Sequence, residues 1–220
     1  RMTFQRGFAI SETGMGSLGS AYWKIEITGT RENVTATADP QGKFLGVDLS
    51  QTSQARDYHL LTKENLKKAQ DAVKDVIGEN RQVSTISLDD KMLSCKIVNR
   101  ENPEVRELYQ YGINGITSKI LSKILTIEIP EFSSTFSLSD INLADAADLV
   151  KKAKTRVDMP DSAVKFVIIE RKKPNFNDKD FQIIWSISLR KGVTDGEVDF
   201  DNEGNEIYVS KNEKVIFRKK

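Results

Sequence analysis

The stretch Asp199-Phe200-Asp201-Asn202-Glu203-Gly204-Asn205-Glu206 has the spacing of the front half of a calcium loop. Counted from Asp199, carboxylates stand at positions one and three and a glycine at six, as in a twelve-residue EF-hand loop. Position five, however, is Glu203, and position twelve is Ser210, where a bidentate glutamate is needed. The residues that follow, Ile207-Tyr208-Val209, alternate as a strand, whereas a calcium loop runs into a helix. The same residues suit a tight turn between two strands. Asp opens such a turn by accepting nearby backbone N–H groups, and Gly supplies the positive φ that closes it. A hairpin turn without metal is therefore the expectation.

Other residue sets that could do chemistry have similar bland readings. Gly14-Met15-Gly16-Ser17-Leu18-Gly19 matches the glycine pattern of a dinucleotide site, which must run from a strand into a helix so that the pyrophosphate meets a helix N-terminus. Here it runs into Ala21-Tyr22-Trp23-Lys24-Ile25-Glu26-Ile27, an alternating strand, so it reads as a hairpin loop and no cofactor is expected. Asp89-Asp90 lies between two short strands and reads as their turn. His59 is the only histidine, so a Ser-His-Asp triad would have to use it, and no G-x-S-x-G elbow supports one. Cys95 is the only cysteine, which excludes an intrachain disulfide and a thiolate zinc cluster; its extended context predicts a buried, inert thiol. Asn33-Val34-Thr35 fits the glycosylation pattern, but at the start of a strand it carries little weight.

The elements that position these residues carry an internal match. At an offset of 162, Trp23-Lys-Ile-Glu-Ile27 lies over Trp185-Ser-Ile-Ser-Leu189, and Asp39-Pro40-Gln41-Gly42 lies over Asp201-Asn202-Glu203-Gly204. Phe4 falls on Phe166, Leu45 on Ile207 and Val47 on Val209 without a gap. Each copy reads as an antiparallel meander. Its first strand is about 3–10 or 163–171, a long loop follows at 11–20 or 172–179, and the second strand is about 21–28 or 180–190. Two shorter strands then flank the D-x-x-G turn.

Two helices complete the pattern. One, about 142–156, has Leu143, Ala146, Ala147, Val150 and Ala153 on one stripe, with Asp140 or Asn142 as its cap. The other, about 63–77, has Thr62 as N-cap, Leu66, Ala69, Val73, Val76 and Ile77 as its stripe, and Gly78 at its end. Short strands follow at 82–88 and 92–99. Between 102 and 129, Pro103 could open a helix, and Ile116, Ile120, Leu121 and Ile124 have helical spacing, although Gly112 and Gly115 interrupt it. Residues 125–129 read as strand and 130–139 as a connector. The fold class is α+β: tandem repeats of a helix packed on a curled antiparallel β-sheet. The division is a first β-meander module at 1–60 that lacks its leading helix, a middle helix-plus-hairpin segment at 61–129, and a second module at 130–220.

Helix, strand, long strand and a final hairpin with D-x-x-G together resemble the PepSY domain and its relatives among bacterial envelope proteins. The residues that carry the resemblance are 143–154, 166–169, 185–189 and 198–204, within roughly the last 75 residues, with an echo at 1–50. The resemblance implies a non-catalytic, exported module, often a lipoprotein and sometimes proposed to restrain peptidases. It brings no catalytic residues.

Composition narrows the partners. Lys and Arg number 33 and Asp and Glu 32, a net charge of +1, so nothing argues for nucleic acid. No run approaches the ~20 apolar residues of a membrane helix, though a precursor could carry a lipid anchor. The expectation is a non-enzymatic protein- or peptide-binding or structural module of the bacterial cell envelope, periplasmic, with a cytoplasmic location as the alternative. Contact is expected through the long loops, at Gly14, Met15, Gly16, Leu18, Asn175, Phe176 and Asp178. The alternatives are a small-ligand binder or enzyme that uses Tyr109, Tyr111, His59 and carboxylates in a cleft between modules, and a peptidase inhibitor or immunity-type protein.

Overall fold

The computed structural model describes residues 2–8, 21–28, 33–38, 41, 44–49, 52–102, 105–123, 134–174 and 180–218. They form two compact units, Arg1–Tyr58 and His59–Lys220.

The first unit is a four-stranded antiparallel meander of β1 (Met2–Phe8), β2 (Ala21–Thr28), β3 (Asn33–Ala38) and β4 (Phe44–Asp48), with a short helix α1 (Ser53–Asp57). In β3 the run Asn-Val-Thr-Ala-Thr-Ala alternates, and Ala36 and Ala38 are buried. The side chain of Thr52 caps α1 by accepting from Ala55 N at 3.3 Å. Asp39, Pro40 and Gly42, the first D-x-x-G, lie outside the described residues.

The second unit opens with helix α2 (Lys63–Ile77). Thr62 accepts from Asn65 N at 3.2 Å, and Gly78, at φ +85°, ends the helix with its N–H on Lys74 O at 2.8 Å. Leu66, Ala69, Val73 and Ile77 form its buried stripe. Val76, expected there, is 55% exposed, because the stripe drifts toward Gln70 instead. Gln70 is buried and fully used: its amide donates to Leu138 O and Ile141 O and its carbonyl accepts from Leu143 N. A polar residue on the inner face thus fixes the chain leading to the next helix.

Strands β5 (Gln82–Leu88) and β6 (Leu93–Val98) make a hairpin in which Asp89 Oδ1 accepts from Lys91 N and Met92 N at 2.7 and 2.8 Å. The helical spacing after residue 112 is overturned. Residues 105–123 form a second hairpin, β7 (Val105–Gly112) and β8 (Gly115–Lys123), joined by Ile113-Asn114. Gly115 has φ +75°, so one of the two glycines that break a helix supplies the left-handed residue that closes this strand turn. Pro103 and residues 125–129 lie outside the described residues. Further on come a short strand β9 (Phe136–Ser137), a 3-10 turn at Leu138–Asp140, and helix α3 (Asp145–Arg156). The buried stripe of α3 is Ala146, Ala147, Leu149, Val150 and Ala153. The N-cap of α3 is Ala144, whose N–H is accepted by Asn142 Oδ1 at 3.3 Å, while Asp140 caps the 3-10 turn by accepting from Ser137 N at 2.8 Å.

The last strands are β10 (Ala163–Lys172), β11 (Gln182–Lys191), β12 (Thr194–Phe200), β13 (Glu206–Lys211) and β14 (Lys214–Arg218). All pairings are antiparallel, in the order β14-β13-β12-β11-β10-β5-β6-β7-β8, with β9 on β5. Residues of the middle and last segments therefore share one sheet through β10 and β5. Helix α3 lies on β11 and β12, and α2 lies on β7 and β8. The fold class is α+β. Residues 184–189 of β11 are buried on both faces, so Ser186 and Ser188 are covered as well as Trp185, Ile187 and Leu189. That departs from the one-wet-face alternation expected of such a sheet.

Moved by 162 positions, the pairs Trp23↔Ala38 through Thr28↔Asn33 become Trp185↔Phe200 through Arg190↔Asp195, and each is a pair of β11 with β12. Thr35↔Asp48, Ala36↔Val47, Thr37↔Gly46 and Ala38↔Phe44 likewise become the β12–β13 pairs, with the bulge at the same place. The first pairing differs. Met2↔Ile27 corresponds to Val164↔Leu189, but a bulge between Val164 and Phe166 shifts the rest of β10 by one residue.

Candidate functional site

The turn between β12 and β13 is held from within. Asp201 Oδ1 accepts from Glu203 N at 3.1 Å and Asn205 N at 2.7 Å, and Oδ2 accepts from Asn205 Nδ2 at 3.0 Å. Gly204, at φ +79°, sends its N–H to Asp201 O at 3.0 Å. Both carboxylate oxygens face N–H donors, an arrangement that favours a turn. The turn is also bolted to its surroundings. Asn202 Oδ1 accepts from Trp185 Nε1 at 3.2 Å, and Asn202 Nδ2 donates to Asp140 O at 3.1 Å. From α3, Lys152 Nζ donates to Gly204 O at 2.7 Å, and Arg156 pairs with Glu206 at 2.7 Å.

Beside this turn is an open cavity of about 620 Å3, lined by Phe136, Arg171, Phe181, Glu203 and neighbouring polar residues. Arg171 is oriented by the backbone, with Nε on Phe181 O at 3.4 Å and Nη1 on Thr135 O at 3.3 Å. Two aromatic rings, one oriented guanidinium and acidic rims give it a polar character.

A second cavity, about 370 Å3, lies where α3 crosses the start of β10. Its apolar wall is Leu61, Ala147, Val150 and Val164, and Lys151, Lys154 and Asp90 stand at its rim. Asp90 Oδ2 meets His59 Nδ1 at 2.7 Å, on side chains that are 42% and 59% exposed.

Of the groups expected in a cleft, Tyr109 is taken up inside the sheet. Tyr109 is buried, and its hydroxyl donates to Glu107 Oε2 at 2.8 Å. Glu107 Oε1 accepts from Arg81 Nη2 at 3.1 Å and from Asn99 Nδ2 at 2.8 Å, so this carboxylate knits β6, β7 and the chain after α2 together. Tyr111 is half-buried on the same strand, and His59 pairs with Asp90. Cys95 is buried, and burial pushes its thiol up to about 12. Asp199 points from β12 beside Ser186 and Lys172; burial raises its carboxyl above the ordinary range, with the Lys172 charge and the Ser186 hydroxyl acting the other way. Gly14, Met15, Gly16, Leu18, Asn175, Phe176 and Asp178 lie outside the described residues.

Nothing in the sequence singled out Lys151 and Lys154. The four basic residues of α3 divide by role. Lys152 and Arg156 clamp the β12–β13 turn, while Lys151 and Lys154 face the second cavity. The i, i+3 spacing of the latter pair was the available signal.

No family model and no curated protein matches the chain. Similar solved structures include a candidate lipoprotein from Clostridium difficile 630, 14% identical with a TM-score of 0.47, matched over 70% of this chain and 99% of that one. They also include the YpeB C-terminal domain of Bacillus megaterium, 11% identical with a TM-score of 0.27, matched over 97% of this chain and 90% of that domain.

Proposed function

We propose that the chain is a non-enzymatic module of the bacterial cell envelope that binds a protein or peptide partner. The observation that supports this reading is the use made of its chemistry-bearing side chains. Asp201 is consumed by its own turn, Glu107 by a buried network, Cys95 by the core, and Asp90 by an exposed histidine. The resemblance of residues 143–154, 166–169, 185–189 and 198–204 to PepSY domains supports the envelope part of the proposal. Pull-down from an envelope fraction, with the chain immobilised by its C-terminus, tests it. Specific retention of one or a few proteins is expected. No retained protein, together with a small molecule that raises the melting temperature, overturns it.

The alternative of a small-ligand binder has one observation in its favour. The 620 Å3 cavity at Arg171 lies within the size range of ligand sites. Thermal shift against a metabolite collection, repeated on Arg171→Gln, separates the two readings.

A further inference from the structure

We propose that the cavity between α3 and β10 takes the C-terminal end of a peptide whose last residue is aliphatic. This rests on the reading of the chain as a peptide-binding module and names the site and the ligand chemistry.

Two features of the cavity point to that chemistry. Its wall is aliphatic: Ala147 and Val150, on the buried stripe of α3, face Leu61 and Val164 around a space of about 370 Å3. That is near the lower end of ligand sites and suits one or two residues. Its rim is cationic. Among the described residues, neither the Lys151 nor the Lys154 ammonium has a hydrogen-bond or ion-pair partner, although the Asp148 charge acts on Lys151 from a distance, whereas Lys63, Lys152 and Arg156 are committed to Asp148, Gly204 O and Glu206. The one carboxylate at the rim, Asp90, is turned to His59. Lysines near a helix C-terminus complement its dipole, and this gives Lys154 a structural use on its own. The dipole accounts less well for Lys151, one turn earlier and at the same cavity mouth. An aliphatic side chain seated on Val150 and Leu61, with its terminal carboxylate between the two ammoniums, satisfies both features. A peptide amide or an internal segment satisfies only the first.

The test uses the whole chain and two short peptides, acetyl-Ala-Ala-Val-Leu with a free carboxylate and the same peptide as its amide, titrated by calorimetry. The acid is expected to bind and the amide to bind at least about tenfold more weakly, the loss of one charge-assisted contact pair. Lys151→Gln with Lys154→Gln, both at exposed or half-exposed positions, should weaken the acid by a similar factor and leave the melting temperature within a degree or so. Amide resonances of residues 61, 150 and 164 should shift on addition of the acid. Equal binding of acid and amide, an unchanged affinity in the double variant, or no binding of either peptide overturns the proposal. If the double variant still retains the same envelope protein as the parent chain, the site is wrong and the module reading stands. If neither retains a protein and neither peptide binds, both fail.

Discussion

Asp201 holds Asn205 with both of its carboxylate oxygens, Oδ1 on the backbone N at 2.7 Å and Oδ2 on the side-chain Nδ2 at 3.0 Å. Asp201 is 5% exposed, so loss of the carboxylate leaves buried donors unpaired. Asp201→Ala should therefore cost about 2–4 kcal/mol of stability, and Asp201→Asn, which keeps one acceptor, about half as much. Urea unfolding followed by tryptophan emission in a Trp23→Phe background reads this directly, because the signal then comes from Trp185 beside the turn. Added calcium should leave both midpoints unmoved.

The Glu107 network gives a larger effect. Its side chain is 4% exposed and its main partner Arg81 13%, so removal of one charge strands the other in the interior. Glu107→Leu should cost about 3–5 kcal/mol. Arg81→Met added to it should recover part of that loss, since an apolar pair no longer carries an unpaired charge. A double variant no more stable than Glu107→Leu alone would mean that Asn99 and Tyr109, not Arg81, set the cost.

Much of this architecture was legible from local pattern. Thr62, Gly78 and the 3.6-residue stripe mark α2 within a residue, and the Asp89-Asp90 and Asp201–Gly204 turns follow from the donors an aspartate can accept. Two kinds of information were not local. Gly112-Ile-Asn-Gly115 needed the free flank of β6 to become a hairpin, and that long-range pairing outweighed the helical spacing of Ile116 and Ile120. Helix periodicity identifies the face Lys151 and Lys154 occupy, but the cavity beneath them is made by Leu61 and Val164, distant in the chain. Glu107 shows the same limit: its partners come from residues 81, 99 and 109.

Cys95 lies opposite Ile86 and Tyr109 in the middle of its sheet and is fully buried. With its thiol pushed up to about 12 by burial, almost no thiolate exists at mildly alkaline pH, and a disulfide reagent has no path to it. The native chain should show no reaction with Ellman's reagent over an hour and one equivalent at once in concentrated guanidinium. Prompt reaction of the native chain would require local opening of β5–β6, which hydrogen exchange at residues 86 and 95 would register.

Asp199 gives the pH dependence of stability a definite sign. Its carboxyl is raised from 3.8 by burial, and one oxygen, Oδ1, is buried with no hydrogen-bond partner among the described residues. Lys172 and the Ser186 hydroxyl pull the other way, and the Glu170 charge adds to the rise. The folded chain therefore holds this proton more tightly than the unfolded one. The group's stabilising contribution is complete below 3.8 and is lost as pH climbs through the raised folded value. Asp199→Asn removes the buried charge while keeping the side chain's shape. Its melting temperature should exceed that of the parent chain by a few degrees at neutral pH, and the gap should close as pH falls below about 4. A variant that melts lower than the parent at neutral pH would show that the Lys172 and Ser186 contacts outweigh the burial of the carboxylate.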